Sequence, residues 1–370
     1  MVKGLKASVQ LRRQAGRRAL PRRLVFEPTL TCNLTCAMCE RYVRPCDSGD
    51  QELTLANIEK VIERLPRTVT HVYISGGEPC MRSDIVDICK KFLEKNIFVA
   101  IQTNGTFVER FRDIARLKDI ELLFSLDGPP HIHNQIRGAE YAYDRTLCLL
   151  NTVHHDFKKK FSLTSVIAND NINVLPQLFR CLIEQKLKPA YIVIELARRY
   201  TQEDVDTSIR IMGLEPNDIR VRCTDTAVPS YSYGDLKNSL VDISNALRRY
   251  NIKYTFYPRN LSTKMKDFYY RMYRQHNSLY CTHLDDMRID SQGNVIPCFC
   301  IRKKFGNVMT HSIEEIWNSR EFRTFRINLV NNNLLPVCET CFRAVDRTYF
   351  QNMICRRSMN IIKEVMQKIT

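Results

Sequence analysis

Three cysteines stand close together early in the chain, in Thr31-Cys32-Asn33-Leu34-Thr35-Cys36-Ala37-Met38-Cys39. Their Cys-x3-Cys-x2-Cys spacing puts three thiolates on one short loop, enough to hold three irons of a [4Fe–4S] cube. The fourth iron is then open to an exogenous ligand, which is the chemical point of supplying three sulfurs rather than four. Zinc is the rival occupant, but structural zinc sites are four-coordinate and closed. The fourth ligand nearest in sequence is Cys46, beyond Pro45. A second set follows far downstream: Cys281, Cys298 and the pair Cys338-x2-Cys341. Four thiolates suit a closed cluster with no iron left for substrate, with tetrahedral zinc again the alternative. Cys300 and Cys355 can each stand in for Cys298 or serve a second site, while Cys80, Cys89, Cys148, Cys181 and Cys223 read as small buried hydrophobes. Fifteen cysteines is an odd total, and no signal-peptide apolar stretch is visible. A reducing, cytoplasmic setting follows, in which clustered cysteines bind metal instead of pairing.

Such loops need a scaffold. From residue 23 the chain alternates β-rich runs (24–28, 71–75, 98–103, 122–127, 161–167 and 190–196) with amphipathic stretches (54–65, 83–95, 106–117, 140–155 and 172–186). Strands alternating with helices of this length predict βα units on a parallel sheet. Six units predict an α/β fold, a partial (β/α)6 TIM-type barrel, with its chemistry at the C-terminal ends of the strands. The alternation lapses near 199–235. A helix is expected at 235–250, a strand at 253–257 and a helix at 264–275. Further on, 289–296 reads as strand–turn–strand and 310–323 as a helix carrying Trp317, a small α+β cluster-binding module. The expected divisions are a basic arm (1–22), the barrel (23–200), connecting helices (201–275) and the cysteine module (276–370).

A composition of 44% hydrophobic and 26% charged residues excludes global disorder. The longest apolar runs, such as 97–101, are too short to cross a bilayer. The net charge of +16 is concentrated: residues 1–25 carry eight cations, and no acid precedes Glu27. The basic signal is therefore an arm and not a face.

Cys-x3-Cys-x2-Cys after a first β-strand resembles the signature of the radical S-adenosylmethionine (radical SAM) enzymes, and the likeness covers about residues 23–200. Gly76-Gly77-Glu78-Pro79 after the second strand is similar to that family's motif for the amino group of SAM. Glycine lets backbone approach a ligand closely, and Glu78 can accept from an ammonium. Thr103-Asn104-Gly105 ends the third strand and Ser125-Leu126-Asp127-Gly128 the fourth, where relatives contact the ribose or the methionine carboxylate. Arg137 is similar to an arginine that pairs with that carboxylate. Asn169 closes the fifth strand, and Met38, where relatives usually carry an aromatic, can pack on adenine. The resemblance implies a SAM-binding [4Fe–4S] cluster on Cys32, Cys36 and Cys39. It also implies reductive cleavage of SAM to a 5′-deoxyadenosyl radical, with electrons from a reductase, flavodoxin or ferredoxin. The later cysteines, with Asp290-Ser291-Gln292-Gly293-Asn294, Gly306-Asn307-Val308 and Glu315-Ile316-Trp317, resemble the auxiliary-cluster domain called SPASM or its shortened form, twitch. A full SPASM domain carries another cysteine six positions after Cys341. Here position 347 is Arg, so one auxiliary [4Fe–4S] cluster on Cys281, Cys298, Cys338 and Cys341 is expected.

Substrate clues are fewer. Glu195 and Arg198 end the sixth strand, where Glu195 can accept a proton from an alcohol and Arg198 can clamp a carboxylate or phosphate. Tyr42 lies just past the cluster loop. The expected reaction is hydrogen abstraction from a small biosynthetic molecule such as a sugar, cyclitol or lipid-linked metabolite, completed as a two-electron oxidation with help from the auxiliary cluster. A maturase of ribosomally made peptides is the first alternative, and a zinc- or cluster-based nucleic-acid-binding protein the second. In the arm, Val2, Leu5 and Val9 fall at helical spacing among cations, which suits a helix docked on the barrel or peripheral contact with an anionic membrane. Nucleic acid is disfavoured, because no aromatic residues interleave the cations.

Overall fold

The computed structural model describes residues 20–40, 51–225, 228–259, 261–276 and 278–347, with backbone alone at 262 and 263. Tyr42, Cys46, Cys355 and the arm up to residue 19 lie outside the described residues.

Six parallel strands run in sequence order: β1 (Arg23–Phe26), β2 (His71–Ile74), β3 (Phe98–Thr103), β4 (Ile120–Ser125), β5 (Ser162–Ile167) and β6 (Tyr191–Leu196). Val72, Ile74, Val99, Ile101, Leu122, Phe124, Leu163, Ile192 and Ile194 are buried, and the intervening helices lay their apolar faces on the same core. The helix Leu55–Glu63 shows how: Thr54 caps its N-terminus by accepting from the Asn57 N–H, and Ile58, Val61 and Ile62 face inward. The sheet is open, as expected of a partial barrel, but longer than six strands. β7 (Lys253–Tyr257) adds in parallel to β6. After β8 (Leu279–Cys281), β9 (Asp286–Ile289) adds in parallel to the free edge of β1, and β10 (Val295–Ile296) pairs antiparallel with β9. The order is β10-β9-β1-β2-β3-β4-β5-β6-β7. An uncovered β1 would expose a row of unpaired N–H and C=O groups, and β9 supplies their partners. The cysteine segment is thus built into the sheet. β8 pairs separately with β11 (Ala344–Asp346).

Two helices were not anticipated. Pro130–Arg137 ends at Gly138 in the left-handed region (φ 69°) and carries Arg137 in its last turn. Gln202–Met212 lies in the stretch read as a connector, and its signal was the Thr201/Asp204 capping box. The helix expected at 310–323 is two, Ile313–Asn318 and Arg320–Asn331, divided at Ser319, whose hydroxyl caps the second. Among the described residues no helix is long and apolar enough to cross a membrane.

Candidate functional site

A cavity of about 570 Å³ opens at the C-terminal ends of the strands. Cys32, Cys36 and Cys39 line it, with Met38, Gly76, Gly77, Glu78, Thr103, Asn104, Ser125 and Arg137. Glu195 and Arg198 line it as well, from the β6 side.

The cysteine loop leaves β1 and is fixed from three directions. Leu34 is buried beneath it. The Ala37 N–H donates to the Ile136 carbonyl at 2.9 Å, tying the loop to the helix that bears Arg137. On the β2 side, Gly77 N donates to Thr29 O and Glu78 N to Thr31 O, both at 2.8 Å. The two glycines permit this pairing of chain with chain: a Cβ on Gly76, whose φ is +112°, would lie 2.5 Å from the Thr29 oxygen, and one on Gly77 2.1 Å from that of Thr31. Their smallness therefore serves the cysteine loop directly, where the sequence suggested only access for a ligand.

Glu78 also differs from its expected role. Its carboxylate is buried and accepts from the Cys80 N–H (3.1 Å), the Thr103 hydroxyl (2.8 Å) and the Asn104 N–H (2.7 Å). Burial pushes its pKa up, and those hydrogen bonds oppose the rise. Glu78 thus fastens the end of β3 to the turn Pro79–Met81, and Pro79 itself does not line the cavity. Asn104, held this way, directs its amide to the Cys32 sulfur at 3.8 Å and to the Asn33 oxygen at 3.0 Å. Arg137 reaches the Cys36 sulfur at 3.7 Å and Asp127 at 2.5 Å. Asp127 is fully buried behind that guanidinium, bonds the Val166 N–H at 2.8 Å and lies off the cavity. Asn169 is away from it too, accepting from the Ser230 N–H at 3.2 Å. The buried amide beneath these strand ends is Asn171, which donates to the carbonyls of Asp127 and Val166.

The other half of the cavity belongs to β5, β6 and the C-terminal segment. Gln102 on the floor joins it to the first half, accepting from Tyr73 and Thr164 and donating to Ser125. Glu195 faces this half, and burial raises its pKa against the opposing pull of Arg198 and Arg343. Arg198 lies 3.5 Å from Glu40, with its guanidinium carbon over the Phe299 ring, 4.0 Å from the centroid. Phe299 stacks on Phe342 with centroids 5.9 Å apart and planes 8° from parallel. Glu27, directly after β1, is buried between Arg288 and Arg302. Sequence reasoning passed over Gln102, Glu27, Glu40, Arg220, Arg288, Arg302 and both phenylalanines. The available signal for the last two was adjacency, since each directly follows a cysteine of the second set.

Cys281, Cys298, Cys338 and Cys341 lie near enough to act on one another electrostatically, each half-buried. The Cys298 thiol is held at about 7, chiefly by a hydrogen bond from Cys300, against burial. Cys300 is itself buried, 3.2 Å from the Tyr200 hydroxyl. Each cysteine set offers sulfur donors, three on one loop and four in a second group, and all-thiolate donor sets suit iron–sulfur clusters.

Residues 26–182 match the radical SAM superfamily, and residues 281–342 match SPASM, an iron–sulfur cluster-binding domain. The first implies a [4Fe–4S] cluster and SAM, and the second auxiliary iron–sulfur clusters. The chain is 30% identical to the Fe-coproporphyrin III synthase of Methanosarcina barkeri over 44% of its own length and 41% of that protein, so it spans less than half of that relative. It is 23% identical to the tungsten-containing aldehyde ferredoxin oxidoreductase cofactor-modifying protein of Pyrococcus furiosus over 86% of each chain. Its fold is similar to that of Streptococcus suis SuiB bound to precursor peptide SuiA, with a TM-score of 0.61, 16% identity and coverage of 87% of this chain and 70% of SuiB.

Proposed function

We propose that this radical SAM enzyme with its C-terminal SPASM domain takes hydrogen from a C–H bond of a substrate held over β5 and β6. The outcome we favour is a two-electron oxidation. The observation that carries the reading is that the cysteine loop, the glycine pair and the polar strand ends share one cavity with Glu195.

SAM and the loop cluster, when bound, would supply radical chemistry able to take hydrogen from an unactivated carbon. The chain's own residues do the rest. Cys32, Cys36 and Cys39 would hold three irons, with Asn104 and Arg137 donating to two of the sulfurs. Met38, Gly76, Gly77, Thr103, Asn104 and Ser125 would line the SAM half. Glu195 would take the proton from a substrate O–H or N–H, a role that its raised pKa suits. Arg198, placed over the Phe299 ring, would hold an acidic group. Cys281, Cys298, Cys338 and Cys341 would carry one auxiliary [4Fe–4S] cluster, which could accept the electron that a two-electron oxidation releases from the substrate radical. In domain terms, we read 23–200 as the partial barrel, 201–275 as connecting helices that also bring β7 to the sheet, and 276–370 as the cluster unit, which lends β9.

A small biosynthetic substrate is the first reading. The sugar, cyclitol or lipid-linked classes expected from sequence have no counterpart in the names of the relatives above. A ribosomally made peptide is the second, favoured by the fold shared with SuiB, which was captured with its precursor peptide. A flavodoxin, ferredoxin or reductase would deliver the electron. After anaerobic reconstitution the chain should convert SAM to 5′-deoxyadenosine, and Cys36→Ala should abolish that conversion. Fully reconstituted wild type that leaves SAM intact would refute the reading.

A further inference from the structure

The half of the cavity facing Glu195 carries more guanidinium than its own acceptors satisfy. Arg198, Arg220, Arg288 and Arg302 line it against Glu27, Glu40 and Glu195. Arg302 and Arg288 share Glu27. Arg198 has Glu40 at 3.5 Å, whose other oxygen already accepts from the Arg222 N–H at 3.0 Å. Arg220 has no side-chain acceptor among the described residues. In Arg220 and Arg288 the Nε–H is buried and makes no hydrogen bond, and the Arg198 Nε faces only the Glu40 carboxylate at 3.5 Å. A buried donor without an acceptor is costly and needs a reason. Orphan guanidinium nitrogens also occur in Arg137, which lines the other half of the cavity with its remaining nitrogens on Asp127 and Cys36, and off the cavity in Arg199, Arg271, Arg323 and Arg343. Arg220 and Arg288 differ in facing the open volume beside Glu195, where an acceptor can arrive with a ligand.

The unmatched donors narrow that ligand. Arg302 is paired with Glu27 and lies 4.0 Å from Asp290, which leaves Arg220 as the lining guanidinium with no acidic side chain paired to it among the described residues. A planar guanidinium fork matches the two coplanar oxygens of a carboxylate, and the Arg198 guanidinium is placed over the Phe299 ring. Glu195 faces the same volume, and among the described residues it has no hydrogen-bond partner, so it calls for a donor.

We propose that the substrate carries a carboxylate, bound by Arg220 together with Arg198 and Arg288, and a hydroxyl or amine directed at Glu195. The inference rests on the reading that this half of the cavity holds the substrate, and it excludes neutral sugars and cyclitols.

The test uses the reconstituted full chain saturated with SAM, so that SAM's own carboxylate is already seated. Thermal denaturation is followed against propionate, propionamide and inorganic phosphate at matched ionic strength. Propionate should raise the midpoint saturably, propionamide should not, and phosphate should protect less than propionate. Arg220→Gln should shift the propionate dependence to at least about tenfold higher concentration, the effect of losing one charge-assisted hydrogen bond. Arg220→Lys, which keeps the charge without the fork, should fall between and serves if the Gln variant does not fold. Equal protection by propionamide, stronger protection by phosphate, or unchanged propionate dependence in the Arg220 variants would each overturn the proposal. Formation of 5′-deoxyadenosine in the same wild-type preparation separates the two readings. Cleavage without propionate protection refutes the carboxylate alone, and absence of cleavage refutes the radical chemistry.

Discussion

Glu27 offers a sharp test of what holds the cavity wall together. It is 3% exposed at the end of β1 and accepts from Arg288 on β9 and from Arg302 at 2.8 Å. Glu27→Gln keeps the shape and one acceptor oxygen but leaves two buried guanidiniums without their shared charge. Removing one member of a buried ion pair costs about 3–5 kcal/mol, and the retained oxygen places this variant near about 3 kcal/mol. That is a large part of a stability of about 5–15 kcal/mol. Urea unfolding of the reconstituted chain measures it without screening the charges. In a background carrying Arg288→Met and Arg302→Met the same substitution should cost about 1 kcal/mol or less, because contacting groups couple by about 0.5–3 kcal/mol. Burial by itself would raise the Glu27 pKa, but Arg302 and Arg288 outweigh it and hold the carboxyl below its ordinary range. The stabilisation is therefore complete above the ordinary carboxylate pKa and is lost as pH falls through the depressed value. The Gln variant should lack that part of the acid sensitivity. A cost below about 1 kcal/mol, or an equal cost with both arginines gone, would refute the reasoning.

Two further outcomes follow from the site. Gly77→Ala would push a methyl to 2.1 Å from the Thr31 oxygen, so the chain should lose the iron of the loop cluster and SAM cleavage while retaining auxiliary iron, read by iron analysis with and without Cys36→Ala. Burial lifts the Glu195 pKa, so substrate oxidation should rise with pH through a value above the ordinary carboxylate range, and Glu195→Gln should remove that limb from the pH–rate profile. An unaltered profile in that variant would assign the limb to another group.

Much of this was legible from local pattern. The β1 to β6 alternation, the cysteine spacing and the motifs after β2, β3 and β4 all depend on neighbours within a few residues, where period and turn chemistry act. What escaped were long-range pairings. Nothing in 286–289 announces that β9 will cover β1, because the free edge it satisfies lies at the other end of the chain. Glu78 looked like a ligand for an ammonium, and its donors, Thr103 and the Asn104 N–H, come from the next strand. Asn169 and Asn171 are indistinguishable by type and differ only in which points inward. Arg220 sat in a stretch without periodic pattern, where sequence gives no side chain a direction.

The seam between β1 and β9 also governs how the protein is made. Arg23 meets Asp286 across 263 residues of sequence, so β1 acquires its second neighbour only after that intervening length has been made. At a translation rate of about 5–20 residues per second, that interval lasts roughly 13–53 s. Throughout it, the cysteine loop hanging from β1 stands beside an unfinished edge, before Arg288 and Arg302 arrive to close on Glu27. Contacts this distant in sequence are also slow to form. The wall beside the first three thiols is therefore completed only after the segment carrying β9, Arg288 and Arg302 has been made.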